Sequence, residues 1–265
     1  MFRAAVLGKP IAHSLSPVLH SAAYQALGLA GEWTYEAVEC DEAFLPEVLT
    51  KGWAGLSLTM PLKRAVLPLL DHVDPLVTHV GGANTVVFEP DGRHGYNTDV
   101  TGMVAALAGI GVTKPAAATI LGAGATACAA LAALRDLGLT EVVVQVRDQA
   151  RAGDLLAAAS RLGIAVDLRP LTTGVREGDL LISTLPAGAA DILNERTLVP
   201  PTLTGLLDVV YHPWPTTLAH AATKAGIPVA GGFDLLLHQA ARQVELMTGR
   251  APAPVDQMRA ALRLN

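Results

Sequence analysis

The stretch Gly122-Ala123-Gly124-Ala125-Thr126-Ala127 constrains the fold of this chain more than any other. It follows an apolar run from Thr119 to Leu121 and opens an apolar helical pattern from Ala125 to Leu137. This is the G-x-G-x-x-A arrangement, in which small residues let the backbone turn sharply and approach a pyrophosphate. The N–H groups of the helix start then hold the negative charge. A second strand pattern, Glu141 to Val146, follows at the spacing of a βαβ unit. Helical periodicity through Leu155 to Leu162, strands near Val166, at Leu180 to Ser183 and at Gly205 to Val210, and a helix Thr217 to Lys224 continue the alternation. The pattern predicts an α/β nucleotide-binding domain.

The same alternation precedes it. An apolar run Ala4 to Leu7, a helix from Pro17 to about Leu27 stopped by Gly28, and a strand Trp33 to Val38 read as βαβ-like. Further strands are expected at Gly55 to Thr59, Thr85 to Phe88 and Arg93 to Tyr96, with short helical patterns at Val66 to Leu70 and Pro75 to Val80. An apolar helix Val100 to Leu107 ends in the Gly109 to Pro115 region, where a domain boundary is expected. After Gly231-Gly232 the periodicity predicts a long helix, Phe233 to Met247.

Composition narrows the partners. Few aromatics, at 4%, and half the chain apolar suit helices packed on a buried sheet. A net charge of -5 with scattered basic residues gives no footprint for nucleic acid or an anionic membrane. Ala116 to Leu134 has no charged residue, yet glycines interrupt it at the strand-to-helix turn, so no membrane span is expected. The start of the chain is too short and too soon broken by Gly8 and Pro10 for a signal peptide, and Cys40 and Cys128 form neither a disulfide framework nor a ligand spacing. A cytoplasmic protein is expected. The eight histidines contain no HExxH or similar close pattern, and no metal is expected.

Several side chains could carry chemistry. Ser16 is a good N-cap before Pro17, which leaves Ser14 free, and the two hydroxyls together can read a polyol. Lys63 follows Thr59-Met60-Pro61-Leu62 after a strand end, where a loop can aim its ammonium group. Asp99 is either the N-cap of the helix that starts at Val100 or a partner for Lys63. Such a pair can supply the proton that a ketone needs as hydride arrives. Arg147 and Arg151 lie after the second strand of the glycine-turn unit, where an adenine ribose belongs. Two cations in a first helical turn favour a bound 2′-phosphate, hence NADP, while Asp148 keeps NAD possible by accepting from a ribose hydroxyl.

Taken in order, Ser14-Leu15-Ser16-Pro17, Thr59-Met60-Pro61-Leu62-Lys63, Gly82-Ala83-Asn84-Thr85, Gly95-Tyr96-Asn97-Thr98-Asp99, the glycine turn and Gln239-Ala240-Ala241 resemble the shikimate dehydrogenase family over nearly the whole chain. The resemblance implies a two-domain α/β architecture. Residues 1–99 and 235–265 would form a substrate-binding catalytic domain to which the C-terminal helix returns, and residues 100–234 a Rossmann-type NADP-binding domain. It implies that Lys63 and Asp99 are catalytic and that Ser14, Ser16, Ser57, Thr59, Asn84, Tyr211 and Gln239 bind substrate. Gly122, Ala123, Gly124, Ala125, Thr126, Arg147, Asp148, Arg151, Val209 and Gly232 would hold the cofactor. The activity implied is reversible NADPH-dependent reduction of 3-dehydroshikimate to shikimate in chorismate and aromatic amino acid biosynthesis, by a monomer or homodimer. The chain departs from the family at Ser57, where an Asn is usual, at Val146-Arg147-Asp148 in place of Asn-Arg-Thr, and at Ser183-Thr184-Leu185-Pro186 in place of Thr-Ser-x-Gly. An NAD-using quinate/shikimate dehydrogenase and a non-catalytic NADP-responsive binding protein are the alternatives.

Overall fold

Residues 1–175, 178–190 and 199–262 are described by a computed structural model of the chain. The backbone forms two units, Met1–Asp99 with the chain from Leu236 onward, and Val100–Leu235.

In the first unit the strands are β1 (Phe2–Gly8), β2 (Trp33–Glu39), β3 (Gly55–Leu58), β4 (His72–Val73), β5 (Thr85–Glu89) and β6 (Gly92–Tyr96). They make one mixed sheet in the order β2-β1-β3-β5-β6-β4. β1 runs parallel to β2 and β3, β5 is antiparallel to β3 and β6, and the two-residue β4 runs parallel to β6 at the edge. The apolar run Ala4 to Leu7 lies buried on β1. A Cβ on Gly8 would lie 2.3 Å from Thr59 Cγ2 and 3.0 Å from the Met60 carbonyl, so the chain leaving β1 has no room for a side chain.

The helices of this unit are α1 (Ser16–Ala26), α2 (Leu45–Val48), α3 (Leu62–Ala65) and α4 (Pro75–Val80). α1 ends before Gly28, whose φ of 72° only glycine adopts without strain. Leu19 and Ala23 of α1 pack with Leu237, Ala240, Ala241 and Val244 and with Met258. Each fully buried leucine in that cluster contributes about 1.5–3 kcal/mol. The small alanines let the helices approach closely enough to seat Gln239 and Gln243 at the sheet.

The second unit holds β7 (Ala118–Leu121), β8 (Glu141–Val146), β9 (Ala165–Pro170), β10 (Leu180–Ser183), β11 (Gly205–Asp208) and β12 (Val229–Ala230). They lie in the order β12-β11-β10-β7-β8-β9 with every neighbour parallel. This is the doubly wound arrangement, and its switch point falls between β7 and β10. All four residues of β7 and all four of β10 are buried, as expected of strands covered on both faces. Its helices include α5 (Asp99–Gly109), which enters from the first unit, α6 (Ala125–Asp136), α7 (Gly153–Leu162) and α8 (Thr217–Lys224). α9 (Gly232–Thr248) leads back to the first unit, and α10 (Val255–Leu262) packs against α1.

Among the described residues no helix is long and apolar enough to cross a membrane. The uncharged stretch Ala116 to Leu134 divides into β7, the glycine turn and α6. Periodicity alone indicated neither the two-residue β4 nor α10.

Candidate active site

The chemistry of the first unit centres on an ion pair between Lys63 Nζ and Asp99 Oδ2, with side chains only 15% and 7% exposed. Lys63 sits not in a loop but in the one-turn helix α3, because Leu62 N–H bonds the Thr59 carbonyl at 2.8 Å and closes the turn. Its own carbonyl accepts from Ala83 N–H at 2.8 Å, and Asn97 Nδ2 donates to the Gly82 carbonyl at 2.8 Å. Two loops therefore lock the lysine backbone. Asp99 is itself the first residue of α5, and Asn97 Oδ1 accepts its N–H at 3.1 Å. That arrangement turns the Asp99 carboxylate toward Lys63.

Asn84 organises the pair. Its Nδ2 lies 2.9 Å from Asp99 Oδ1, 3.0 Å from Thr98 Oγ1 and 3.1 Å from Gln239 Oε1. Its Oδ1 accepts from Thr98 N–H at 2.8 Å and from Thr85 Oγ1 at 2.9 Å. Both Asp99 carboxylate oxygens thus face donors, which fixes the carboxylate against rotation and lets it hold Lys63 in one orientation.

A second row of buried groups supports the first, and Gln243 links them. Gln243 stands one helical turn beyond Gln239 on α9, so both amides share a face. Its Nε2 lies 3.1 Å from Thr85 Oγ1 and 3.2 Å from the Asn84 carbonyl. Its Oε1 accepts from Ser57 Oγ at 2.8 Å, and Ser57 Oγ accepts from the Tyr35 hydroxyl at 2.7 Å. The Ser57 proton is thereby committed to Gln243 behind the site, in a residue only 3% exposed. Gln243 and Tyr35 escape sequence reading because nothing local connects them. The helical spacing of Gln243 from Gln239 is the one signal that could have found it.

Ser16 is not the N-cap of α1. α1 starts at Ser16, Leu15 occupies the cap position, and Ser14 Oγ accepts from Ser16 N–H at 3.3 Å. The tight turn that bonds Ser14 N–H to the Ile11 carbonyl at 2.9 Å places the Ser14 hydroxyl over the helix start. Ser16 is buried beside the Tyr35 phenol, whose pKa burial pushes above the usual range. Thr59 lies half-buried between β3 and α3.

His20 stacks on Tyr35 with ring centroids 3.8 Å apart, and burial lowers its pKa to about 3 against a weak opposing effect of Gln243. The folded protein therefore keeps this ring neutral, while the unfolded chain protonates it below about pH 6.5. Its contribution is fully present above that pH. Stability falls as the pH drops from about 6.5 toward 3, by roughly 1 kcal/mol per pH unit from this ring. Denaturant midpoints between about pH 7 and about pH 4.5 are expected to fall less steeply for His20→Phe than for the natural chain. Equal slopes would assign the acid sensitivity elsewhere.

In the second unit, the glycine turn fits a dinucleotide diphosphate. Gly122 has φ of +104°, and a Cβ there would lie 2.6 Å from Thr184 Oγ1. Thr184 Oγ1 itself donates to the Leu121 carbonyl at 2.8 Å, so the strand ends on both sides of the switch point are tied together. Gly124 has open space where a Cβ would stand, and it caps α6 with no side-chain hydrogen bond. The first N–H groups of α6, from Ala125 and Thr126 onward, are left for an anion. Ala123 is half-buried in the turn.

After β8, Arg147 and Arg151 are exposed, and among the described residues neither is held in an ion pair. Asp148 accepts from Ala150 N–H at 3.0 Å and caps the short turn that follows. Gly232 lies against the backbone of Val209 to Tyr211, where a Cβ would meet the Val209 carbonyl at 2.4 Å. Tyr211 tilts against Phe233 with ring centroids 5.8 Å apart, and burial raises its pKa.

Residues 6–86 match the family described as the shikimate dehydrogenase substrate binding domain, and residues 232–263 match the shikimate 5′-dehydrogenase C-terminal domain. A shikimate dehydrogenase (NADP(+)) of Thermus thermophilus is 38% identical to the chain, covering 99% of it and 98% of that protein. The chain belongs to the shikimate dehydrogenase family. Among solved structures, the shikimate dehydrogenase of Mycobacterium tuberculosis is 42% identical, with a TM-score of 0.87 over 100% of this chain and 99% of that one. A Thermus thermophilus shikimate 5-dehydrogenase solved in complex with NADP(H) and shikimate is 36% identical and also superposes at a TM-score of 0.87, over 100% of both chains. As a member of the shikimate dehydrogenase family, the chain has the two-domain α/β fold of these relatives.

Proposed function

We propose that this chain catalyses the reversible NADP-dependent interconversion of 3-dehydroshikimate and shikimate, a step toward chorismate and the aromatic amino acids. The observation that carries the reading is the Lys63 and Asp99 pair, held in place by the Asn84 amide. NADPH, when bound, supplies the hydride that the carbonyl carbon takes up. Lys63 Nζ donates the proton to the carbonyl oxygen in reduction and accepts it from the C3 hydroxyl in oxidation. Asp99 keeps the ammonium oriented and offsets its charge.

Residues 1–99 and 235–265 take the substrate, and residues 100–234 take the cofactor. Ser14, Ser16, Thr59, Asn84, Gln239 and Tyr211 supply hydroxyl and amide groups for a ring with several hydroxyls and a carboxylate. Ser57 acts through Gln243, whose bonds to Thr85 and to the Asn84 carbonyl hold that row in place. Gly122, Ala123, Gly124, Ala125 and Thr126 cradle the diphosphate, with Val209 and Gly232 at the nicotinamide end. The enzyme works in the cytoplasm as a monomer or homodimer.

Reduction of 3-dehydroshikimate with NADPH deuterated at the transferable position tests the reading. Shikimate labelled at C3 is the expected product, and absence of product or of label would overturn it.

NADP is favoured over NAD because Arg147 and Arg151 are exposed and available for a 2′-phosphate, beside the Asp148 that caps the turn between them. Arg147→Ala and Arg151→Ala are each expected to raise KM for NADP by roughly tenfold, about 1.4 kcal/mol, with little change for NAD. An equal loss with both cofactors would remove these arginines from the discrimination.

A further inference from the structure

His72, Asp91 and His94 come together at the edge of the first unit's sheet, away from the residues given roles above. Their ligand atoms all lie within 4.8 Å of one another. His94 Nε2 is 2.9 Å from Asp91 Oδ1, and His72 Nε2 is 3.7 Å from Asp91 Oδ2, so both rings turn the same nitrogen toward one carboxylate. The rings stack with centroids 4.5 Å apart and planes inclined by 26°.

The backbone holds this arrangement. His72 and His94 are register partners across the parallel β4 and β6 pair, which puts their side chains on the same face. Asp91 lies in the turn between β5 and β6. Beside His72, Asp71 binds Arg93 through Nε at 2.8 Å and Nη2 at 3.1 Å, and its own N–H donates to the Arg93 carbonyl at 3.0 Å. Asp74 N–H donates to the Gly95 carbonyl at 3.0 Å. Both histidines are therefore fixed at the backbone, and only side-chain torsions remain to be set.

We propose that His72, Asp91 and His94 form a binding site for a divalent transition metal of the zinc and nickel class. Two imidazoles and one carboxylate are the donor set such ions favour, whereas magnesium and calcium prefer oxygen ligands. Metal–nitrogen bonds of about 2.0–2.1 Å require the three donors to draw in slightly, which the exposed His72 and Asp91 side chains can do against a half-buried His94. With His72 51% exposed and Asp91 63% exposed, water completes the coordination. The ion staples the short edge strand β4 to the β5–β6 hairpin, whose strands start beside Asn84 and end beside Asn97. Close sequence spacing did not reveal the site because the two histidines meet only through strand pairing.

The test is calorimetric titration of the chelator-treated full chain with Zn2+, Ni2+ and Mg2+, alongside melting temperatures with and without Zn2+. One equivalent of Zn2+ or Ni2+ should bind and raise the melting temperature, with no response to Mg2+. His72→Ala, His94→Ala and Asp91→Asn should each weaken binding roughly tenfold or more. His220→Ala, on α8, should leave it unchanged. Far-ultraviolet circular dichroism checks that the variants fold, which the exposed positions of His72 and Asp91 favour. The proposal fails if no saturable binding occurs, if Mg2+ binds equally well, or if stoichiometric binding survives in His72→Ala/His94→Ala.

Discussion

Lys63→Ala is expected to lower shikimate turnover by about 10²–10⁴-fold, the range over which a positioned proton donor acts. The dissociation constant for shikimate should change much less, because the substitution leaves the hydroxyls and amides proposed to bind the ring in place. Lys63→Arg is a sharper version of the same experiment. It preserves the positive charge beside Asp99 but offers a guanidinium that does not release its proton at working pH, so turnover should stay low. Steady-state rates compared with equilibrium binding give the answer. Turnover within about tenfold of the natural chain would remove Lys63 from the proton transfer.

Asn84→Ala is expected to damage stability and turnover together. Asn84 accepts from buried Thr98 N–H and Thr85 Oγ1 while donating toward Asp99 and Gln239. Its removal takes a hydrogen bond from each of these buried groups, a loss of about 2–4 kcal/mol in unfolding free energy. Turnover should fall by roughly 10²-fold as Asp99 loses the donor that fixes its second oxygen. Denaturant midpoints and initial rates on the same preparation separate the two effects. Unchanged stability would mean that the network does not depend on Asn84.

Much of the fold is legible in the amino-acid sequence because local rules write it. Gly28 and the apolar pattern before it place α1 to within a residue or two, and the glycine turn places the β7 to α6 junction. Short motifs also draw attention to Lys63 and Asp99 as a possible pair, though spacing cannot bring them together. Contact between them depends on α3, on the Gly82 and Asn97 loops and on the start of α5. Ser16 is the first residue of α1 rather than its cap, because the turn at Ile11 sets Ser14 Oγ to accept the Ser16 N–H. Gln243 and Tyr35 stay hidden for a similar reason. A buried glutamine on an apolar helix face acquires meaning only when β3, β5 and α9 converge. β4 illustrates the limit at the sheet edge, since two residues carry no periodicity.

The central claim, NADP-dependent oxidation of shikimate, is tested most directly by initial rates of reduced-cofactor formation with shikimate or quinate, each paired with NADP or NAD. Shikimate with NADP is expected to be the fastest of the four pairs by a wide margin. A faster rate with quinate or with NAD would contradict the assignment of substrate or cofactor. Silence in all four, with NADPH still bound, would contradict catalysis itself and leave a binding protein.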